Sequence, residues 1–483
     1  MVKNEERTGV VLRLGSNGEG IIKDQNFTVF VPFVLVGEKV KYKVLKVKGN
    51  IAFGKAVEIL TPAEERVRPR CPVFGKCGGC QLQHLKYKEQ LKFKGKAVKD
   101  CLSKVAFIET EVPPAVKSPE EYNYRNKLQL PVREENGVVK IGFFAPNSHR
   151  IVETTDCPIQ KGAFGKIVEA LKKYISQSGI TAYNEEKKSG KLRHLVIRFV
   201  EDCAIITLVL SDRSLPQKEL IIDLFKGLFE KFSLYINVNK NDNNVILGDE
   251  FILVYGSEKY ECKEMGVIYE MGPRSFMQVN DGMRSLIYKE AFAAAEIDEN
   301  TVVIDAYSGA GLLTAMFAKS AKKAIGIEIV KEAVEIADKL KADNALEDKM
   351  ENVCAPCEEV LPNILKREKE SGAKCVLILD PPRQGVDVAV INAIKESLPD
   401  RIVYISCSPQ TLSRDLGLLS GTLADLGGGS IGKNPVPETP LYDVLSVKPM
   451  DMFPQTKHVE TVTLLSRRKD EPRVQVTMTC KSD

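Results

Sequence analysis

The chain has 483 residues, 43% apolar and 28% charged, with 12 cysteines and a formal net charge of +4. That length exceeds what one hydrophobic core serves, so two to four domains are expected, and the composition excludes disordered, fibrous and collagen-like classes. Met1 to Gly9 holds no apolar core of signal-peptide length, and no run reaches the ~18 apolar residues of a membrane span. These features predict a cytoplasmic protein with no membrane partner. In that compartment the cysteines point to metal binding or catalysis rather than to disulfides. The net charge is too small to argue nucleic-acid binding alone, so its distribution matters more.

Residues 8 to 60 read as a small all-β module. Apolar runs at Val10 to Leu12, Phe27 to Val36, Val40 to Val47 and Ala52 to Leu60 are punctuated by glycines, as in a five-stranded oligonucleotide-binding barrel. Lys39, Lys41 and Lys43 alternate with Val40, Tyr42 and Val44, which makes one strand face basic. The lysines serve either RNA or the protection of an exposed sheet edge. The module resembles the TRAM domain of RNA-modifying enzymes.

After a linker through Arg70, Cys71, Cys77 and Cys80 fall within ten residues. Thiolates so spaced suit iron–sulfur or zinc chemistry, and a fourth ligand is needed. Cys101, His84 and Cys157 are the candidates. Asp156-Cys157-Pro158 is preferred for the proline after the thiol, with zinc as the alternative metal. Leu85 to Val105 has helical spacing, with Leu85, Tyr87, Leu91, Val98, Leu102 and Val105 on an apolar stripe and a lysine-rich remainder. That remainder is either a phosphate-binding or a solvated face. Residues 111 to 270 read as α+β. They include the aromatic and basic run Tyr122 to Lys127, strands at Leu192 to Phe199, Ala204 to Leu210 and Leu234 to Asn239, and a helix near Gln217 to Lys231.

The second half changes character at Arg274 to Asn280. A helix is expected from Asp281 to Ala295, then a strand Thr301 to Asp305 and the glycine turn Ala306 to Gly311 of a nucleotide-binding βαβ unit. The next strand, Ala324 to Ile329, carries Glu328, placed for ribose hydroxyls. Thr314 stands where a dinucleotide site has its third glycine, which favours S-adenosylmethionine over NAD. Strand Cys375 to Leu379 ends in Asp380-Pro381-Pro382-Arg383, a rigid wall whose arginine replaces the aromatic typical of amine methylation and leaves carbon methylation. Val403 to Ser406 is a strand whose tip carries Cys407, read as a buried core thiol or a nucleophile. A thiolate adding to carbon 6 of a uracil makes carbon 5 able to take a methyl group, and a base must then remove the carbon 5 proton. Glu460 is the preferred base, His458 the weaker one, and a solvent-facing strand position is the plain reading of Glu460. Cys354 and Cys357 have thioredoxin-like spacing in a methyltransferase context and are taken as a decoy.

Phe276-x-Gln278, Asp305-x-Tyr307-Ser308-Gly309-x-Gly311, Asp380-Pro381-Pro382-Arg383-x-Gly385, Ser406-Cys407-x-Pro409-x-Thr411-x-x-Arg414-Asp415 and Asp451 to Glu460 together resemble the RNA (uracil-5-)-methyltransferase family. The resemblance spans nearly the whole chain. It implies that Gln278, Tyr307, Glu328 and Asp380 contact S-adenosyl-L-methionine. It also implies Cys407 as nucleophile, Glu460 as base, and a [4Fe-4S] cluster on Cys71, Cys77, Cys80 and Cys157. The basic helix is implied to pack with the catalytic domain. Ser408 departs from a common Asn, and Leu312 from an Asn found in some members.

The expected architecture is multidomain: an OB-like TRAM β-barrel over 1–61, a central α+β domain with the iron–sulfur cluster over 62–270, and a C-terminal Rossmann-like α/β class I methyltransferase domain over 271–483. The expected activity is S-adenosylmethionine-dependent formation of 5-methyluridine through a covalent Cys–uracil adduct, in a monomer. Barrel and cluster together favour 23S rRNA, with the T-loop uridine of tRNA as the alternative substrate. A non-catalytic RNA-binding iron–sulfur protein is the alternative of a different class, although such a module needs neither Cys407 nor Glu460.

Overall fold

The computed structural model describes residues 1–426, 430–434 and 440–468. Strands β1 (Glu6–Leu14), β2 (Gly20–Asp24), β3 (Phe27–Val31), β4 (Lys39–Lys48) and β5 (Ile51–Thr61) close into a barrel in the order β1-β2-β3-β5-β4. Val40, Tyr42 and Val44 are fully buried, so the alternating lysines of β4 face outward. Since β4 is paired on both sides, its lysines do not protect a sheet edge. The run Phe27 to Val36 is not one strand: it ends at Val31, and Phe33 at φ 63° turns the chain so that Val34 and Leu35 enter the core from a turn.

Helix α1 (Tyr87–Cys101) continues as a π-helical turn through Ala106. Its buried stripe is Gln90, Lys94, Val98 and Leu102, while Val105 is exposed. Val98 and Leu102 pack into the same core as Leu377, Tyr404, Leu412 and Leu416, residues from the far end of the chain. Gly95 permits this packing, because a Cβ there would stand 2.4 Å from the Pro113 carbonyl oxygen.

The central unit comprises β6 (Lys127–Glu135), β7 (Val138–Ile141), β8 (Phe143–Phe144), β9 (Ile151–Val152), α2 (Phe164–Ser178), β10 (Leu192–Val200), β11 (Cys203–Leu210), α3 (Lys218–Lys226), β12 (Lys231–Val238) and β13 (Glu250–Tyr255). Six of these strands form one sheet, β13-β12-β11-β10-β6-β7, with α2 and α3 packed on one face. Helix α3 is shorter than its apolar pattern predicts, because it stops at Gly227 and β12 begins at Lys231. A hairpin, β14 (Tyr260–Glu264) and β15 (Val267–Met271), follows.

The last unit runs α4 (Asp281–Ala295), β16 (Thr301–Asp305), α5 (Leu312–Ala318), β17 (Lys323–Glu328), α6 (Lys331–Asp343), β18 (Met350–Cys354), α7 (Cys357–Glu370), β19 (Lys374–Leu379), α8 (Val388–Ser397), β20 (Arg401–Ser406), α9 (Pro409–Ser420), β21 (Leu423–Asp425), β22 (Ile431–Lys433), β23 (Tyr442–Met450) and β24 (Glu460–Arg467). Its seven-stranded sheet has the order β18-β17-β16-β19-β20-β24-β23. The strands from β18 to β20 are parallel, and β24 is antiparallel to β20. The order reverses between β16 and β19, and ligands bind at the carboxyl ends of such strands. Among the described residues no helix is long and apolar enough to cross a membrane.

The segment between β23 and β24 is held by the first half of the chain. Lys94 Nζ, with no solvent exposure, donates to the equally buried Asp451 carboxylate, and to the Phe453 carbonyl oxygen at 2.9 Å. Removing one partner of a buried pair leaves an uncompensated charge. Lys94→Met is therefore expected to lower unfolding free energy by about 3–5 kcal/mol in urea titration. The double substitution Lys94→Met with Asp451→Leu is expected to recover most of that loss.

Candidate active site

Strand register brings the reactive residues together. Ser406 pairs with Thr461 across β20 and β24, so the next position sets Cys407 beside Glu460. Leu379 pairs with Tyr404 across β19 and β20, and Asp380 follows at the same end of the sheet. Cys407, Glu460, Asp380, Arg383, Gln278 and His458 line one cavity of about 740 Å³.

Local geometry around Cys407 comes from the start of α9. Ser408 caps that helix by accepting from the Thr411 N–H at 3.4 Å, and Pro409 occupies its first turn. Asn caps helices equally well, so Ser408 preserves the function of the residue it replaces. The Asp380 to Val386 loop is clamped from α9. Asp415, fully buried, accepts from the Val386 N–H at 2.8 Å and the Tyr404 hydroxyl at 2.6 Å. Arg414 donates to the carbonyl oxygens of Gln384 and Val386. Gly385, at φ 78°, is required there, because a Cβ would stand 2.5 Å from the Asp415 carboxylate.

Burial governs the electrostatics. It pushes the Glu460 carboxyl up to about 8, with Asp380 adding to the rise and Arg383 opposing it. Asp380 rises to about 7, from burial and then the charge of Asp305. The Cys407 thiol is raised by burial, then by Glu460 and Asp380, while Arg383 favours the thiolate. His458 falls to about 4 through burial and neighbouring cations, which leaves it neutral and a weak base. Glu460 is 4% exposed, so it is not the solvent-facing strand residue that alternation along β24 allows.

Tyr307 and Glu328 lie outside this cavity, around the glycine turn after β16. Glu328 braces that turn by accepting from the N–H groups of Gly309 at 3.0 Å and Val330 at 2.8 Å. A Cβ on Gly309 would meet nothing within 4 Å, so the turn opens onto free space. Asp305 is 1% exposed and accepts from the Thr314 hydroxyl at 2.7 Å, yet its Oδ1 has no partner. The carboxyl group rises to about 6 through burial.

Cys71, Cys77, Cys80 and Cys157 line the same cavity as Cys407. Burial, and after it the neighbouring cysteines, pushes Cys80 and Cys157 up to about 12 and raises Cys77, while Cys71 is raised by burial and then by Asp156. Neither alternative fourth ligand is among the lining residues. His84 packs its ring against Phe33 and Phe74, with both nitrogens unpartnered, and Cys101 lies at the end of α1. Among the described residues no group of three or more His, Cys, Asp or Glu is arranged to hold a single metal ion. Cys354 ends β18 opposite Glu328, and burial pushes Cys357 up to about 12, which opposes a reactive thiolate there.

Sequence reasoning missed the elements that hold the loop bearing Glu460. Gln455 sits at φ 71° with 1% exposure. Its N–H donates to Gln90 Oε1 at 3.0 Å, and its carbonyl oxygen accepts from Gln81 and Leu82. Tyr124 donates to the Pro454 carbonyl oxygen, and Lys457 reaches Asn17 of the barrel. One signal was available: Lys94 stands four residues before Val98 on the apolar stripe of α1, a place where a solvated lysine does not belong.

Residues 86–425 match the family profile described as tRNA (Uracil-5-)-methyltransferase, and residues 5–57 match the TRAM domain. An RNA methyltransferase of Clostridium tetani is 38% identical over 475 residues, covering 98% of each chain. One of Staphylococcus epidermidis is 33% identical over 474 residues, covering 97% of this chain and 99% of the relative. Among solved structures, the Pyrococcus abyssi tRNA (uracil-54, C5)-methyltransferase in complex with S-adenosyl-L-homocysteine aligns with a TM-score of 0.72 and 26% identity. It covers 95% of this chain and 99% of that one. A profile match over residues 86–425, together with relatives above 30% identity along nearly the whole length, shows that the chain belongs to the tRNA (uracil-5-)-methyltransferase family.

Proposed function

We propose that this protein methylates carbon 5 of a uracil in structured RNA, with Cys407 as nucleophile and Glu460 as base. The adjacency of Cys407 and Glu460 in the β20–β24 register, inside a cavity large enough for a nucleotide, carries the reading. The Cys407 thiolate, favoured by Arg383, adds to carbon 6 and leaves carbon 5 nucleophilic. Once carbon 5 has taken the methyl group, Glu460 removes the proton that carbon 5 still carries, and the electron pair left behind expels the thiolate from carbon 6. A carboxyl raised to about 8 is more basic than a free one, which suits it to a carbon acid.

S-adenosylmethionine, when bound, supplies the electrophilic methyl group. The open turn at Gly309, the unpartnered Asp305 oxygen and the carboxylates of Glu328 and Asp380 fit such a ligand, and Tyr307 and Gln278 would complete its contacts. The four cysteines fit a [4Fe-4S] cluster. Sulfurs sharing one zinc ion stand about 3.8 Å apart, given Zn–S bonds near 2.3 Å. Thiolates of a four-iron cluster each bind a different iron and stand further apart, and the four cysteines share one cavity wall.

The target is proposed within two RNA classes. Barrel and cysteine set favour 23S rRNA. The tRNA reading draws on the Pyrococcus enzyme, which is alike over 99% of its length, so this architecture also serves a tRNA enzyme. Mapping 5-methyluridine in both RNAs, from cells with and without the gene, is expected to show loss in one of them. No loss in either would sink the proposal.

Cys407→Ala is expected to reduce methylation by at least about 10⁴-fold while S-adenosylmethionine binding persists. Glu460→Gln is expected to accumulate a covalent protein–RNA adduct, visible as a retarded band on a denaturing gel. Base and nucleophile must both be ionised to act, so wild-type turnover is expected to rise with pH through about 8, where Glu460 ionises, and to keep rising beyond it because the Cys407 thiol is also raised. Cys157→Ser is expected to lose iron and inorganic sulfide in proportion, by metal analysis of anaerobically purified protein.

A further inference from the structure

The central sheet carries a charge arrangement that the reaction does not use. Along β6, Leu128, Leu130 and Val132 enter the core beneath α2 and α3, so Lys127 and Gln129 project from the other face. Along β10, Leu195, Ile197 and Phe199 do the same, leaving Val196 and Arg198 on that other face. The register sets Arg198 directly opposite Lys127. Like charges directly opposite one another weaken a sheet.

Among the described residues no carboxylate is recorded beside either cation. Arg198 is 7% exposed, its Nε has no hydrogen-bond partner, and burial disfavours its charge. Lys127 is lowered to about 8 by burial, then by Arg198 and Arg125. On its other side Arg198 pairs with Ile205, part of an apolar cluster that Met277 joins, so no carboxylate approaches from there. An unpaired buried cation is costly, and residues that break a local rule in this way mark functional sites. Lys127, Gln129, Arg125 and Met277 line the cavity that holds Cys407, and Arg198, not itself a lining residue, stands beside Lys127 on the neighbouring strand.

We propose that Arg198 and Lys127 form a phosphodiester-binding subsite that seats the RNA backbone beside the nucleotide delivered to Cys407. The proposal rests on the reading of the cavity as an RNA methylation site. A planar guanidinium fork next to an ammonium group matches a phosphate oxygen pair, and desolvation strengthens both contacts. The subsite also relieves the repulsion between its own two cations, since one bound phosphate stands between them in charge. The methionine carboxylate of S-adenosylmethionine is the other anion that enters this cavity, and the test separates the two.

The full chain, R198Q, K127Q and the double variant are titrated with a fluorescein-labelled RNA hairpin bearing a uridine-rich loop, across a salt series. Each single substitution is expected to lower the slope of log K against log salt by about one. It is also expected to weaken binding about tenfold at fixed salt, with R198K recovering part of the loss. Replacing loop phosphates by neutral methylphosphonates is expected to cost the wild-type protein affinity and the double variant much less. S-adenosylmethionine affinity by equilibrium dialysis is expected to stay unchanged, and the melting temperature of R198Q is expected to equal or exceed that of wild type.

Unchanged affinity and slope in R198Q and K127Q overturn the subsite. So does loss of S-adenosylmethionine binding without loss of RNA binding, which would assign the cations to the cofactor carboxylate. Cys407→Ala is expected to keep the wild-type slope, so a failed methylation reading and a failed subsite are told apart: the first shows in the 5-methyluridine map, the second in the salt series.

Discussion

The buried pair of Lys94 and Asp451 is the interaction on which the rest depends. Without it, α1 would keep only its apolar packing on the catalytic core, and the segment leading to Glu460 would lose the ion pair that fixes Asp451. The pair does not act alone. Gln455 is held in a left-handed conformation that costs a non-glycine residue about 1–3 kcal/mol, and Gln90, Gln81 and Leu82 bond to its backbone. The segment is shaped by contacts from α1 and from the loop after the cysteine set, so the first half of the chain sets where Glu460 stands beside Cys407.

A second constraint is the burial of three carboxyl groups between the glycine turn and the strand tips. Asp305, Asp380 and Glu460 are all raised by burial, and they influence one another from the glycine turn to the strand tips. Arg383 is the cation that opposes this trend at Glu460 and at Cys407. The Cys407 thiol and the Glu460 carboxyl share one environment, because the same fixed positive charge acts on both.

The catalytic sheet was legible in detail. Thr301 to Asp305 and Asp281 to Ala295 have the predicted bounds, since the first is a fully buried apolar run and the second opens on an Asn280 cap. The order of motifs along the chain located the cavity residues because strand tips of a parallel sheet gather at one end. What stayed hidden were pairings between distant residues. Nothing local in Asp451 announces Lys94, and the opposition of Arg198 to Lys127 depends on a strand register that two apolar runs do not specify. The turn at Phe33 was hidden for another reason: its neighbours are as apolar as the strand before it, so hydrophobicity alone shows no break.

The distance along the chain between α1 and the last strands also bears on the order of events during synthesis. Lys94 and Asp451 are 357 residues apart, and Gln90 and Gln455 are 365 apart. A ribosome making this protein exposes α1 long before its partners exist, and the lysine has no counter-ion until nearly the whole chain has emerged. The barrel and central sheet can form early from their own contacts, whereas α1 must wait with its stripe uncovered. The cavity is therefore completed in one late step, when β23 and β24 close the sheet, and a chain truncated before them would fold much of its mass yet lack Glu460.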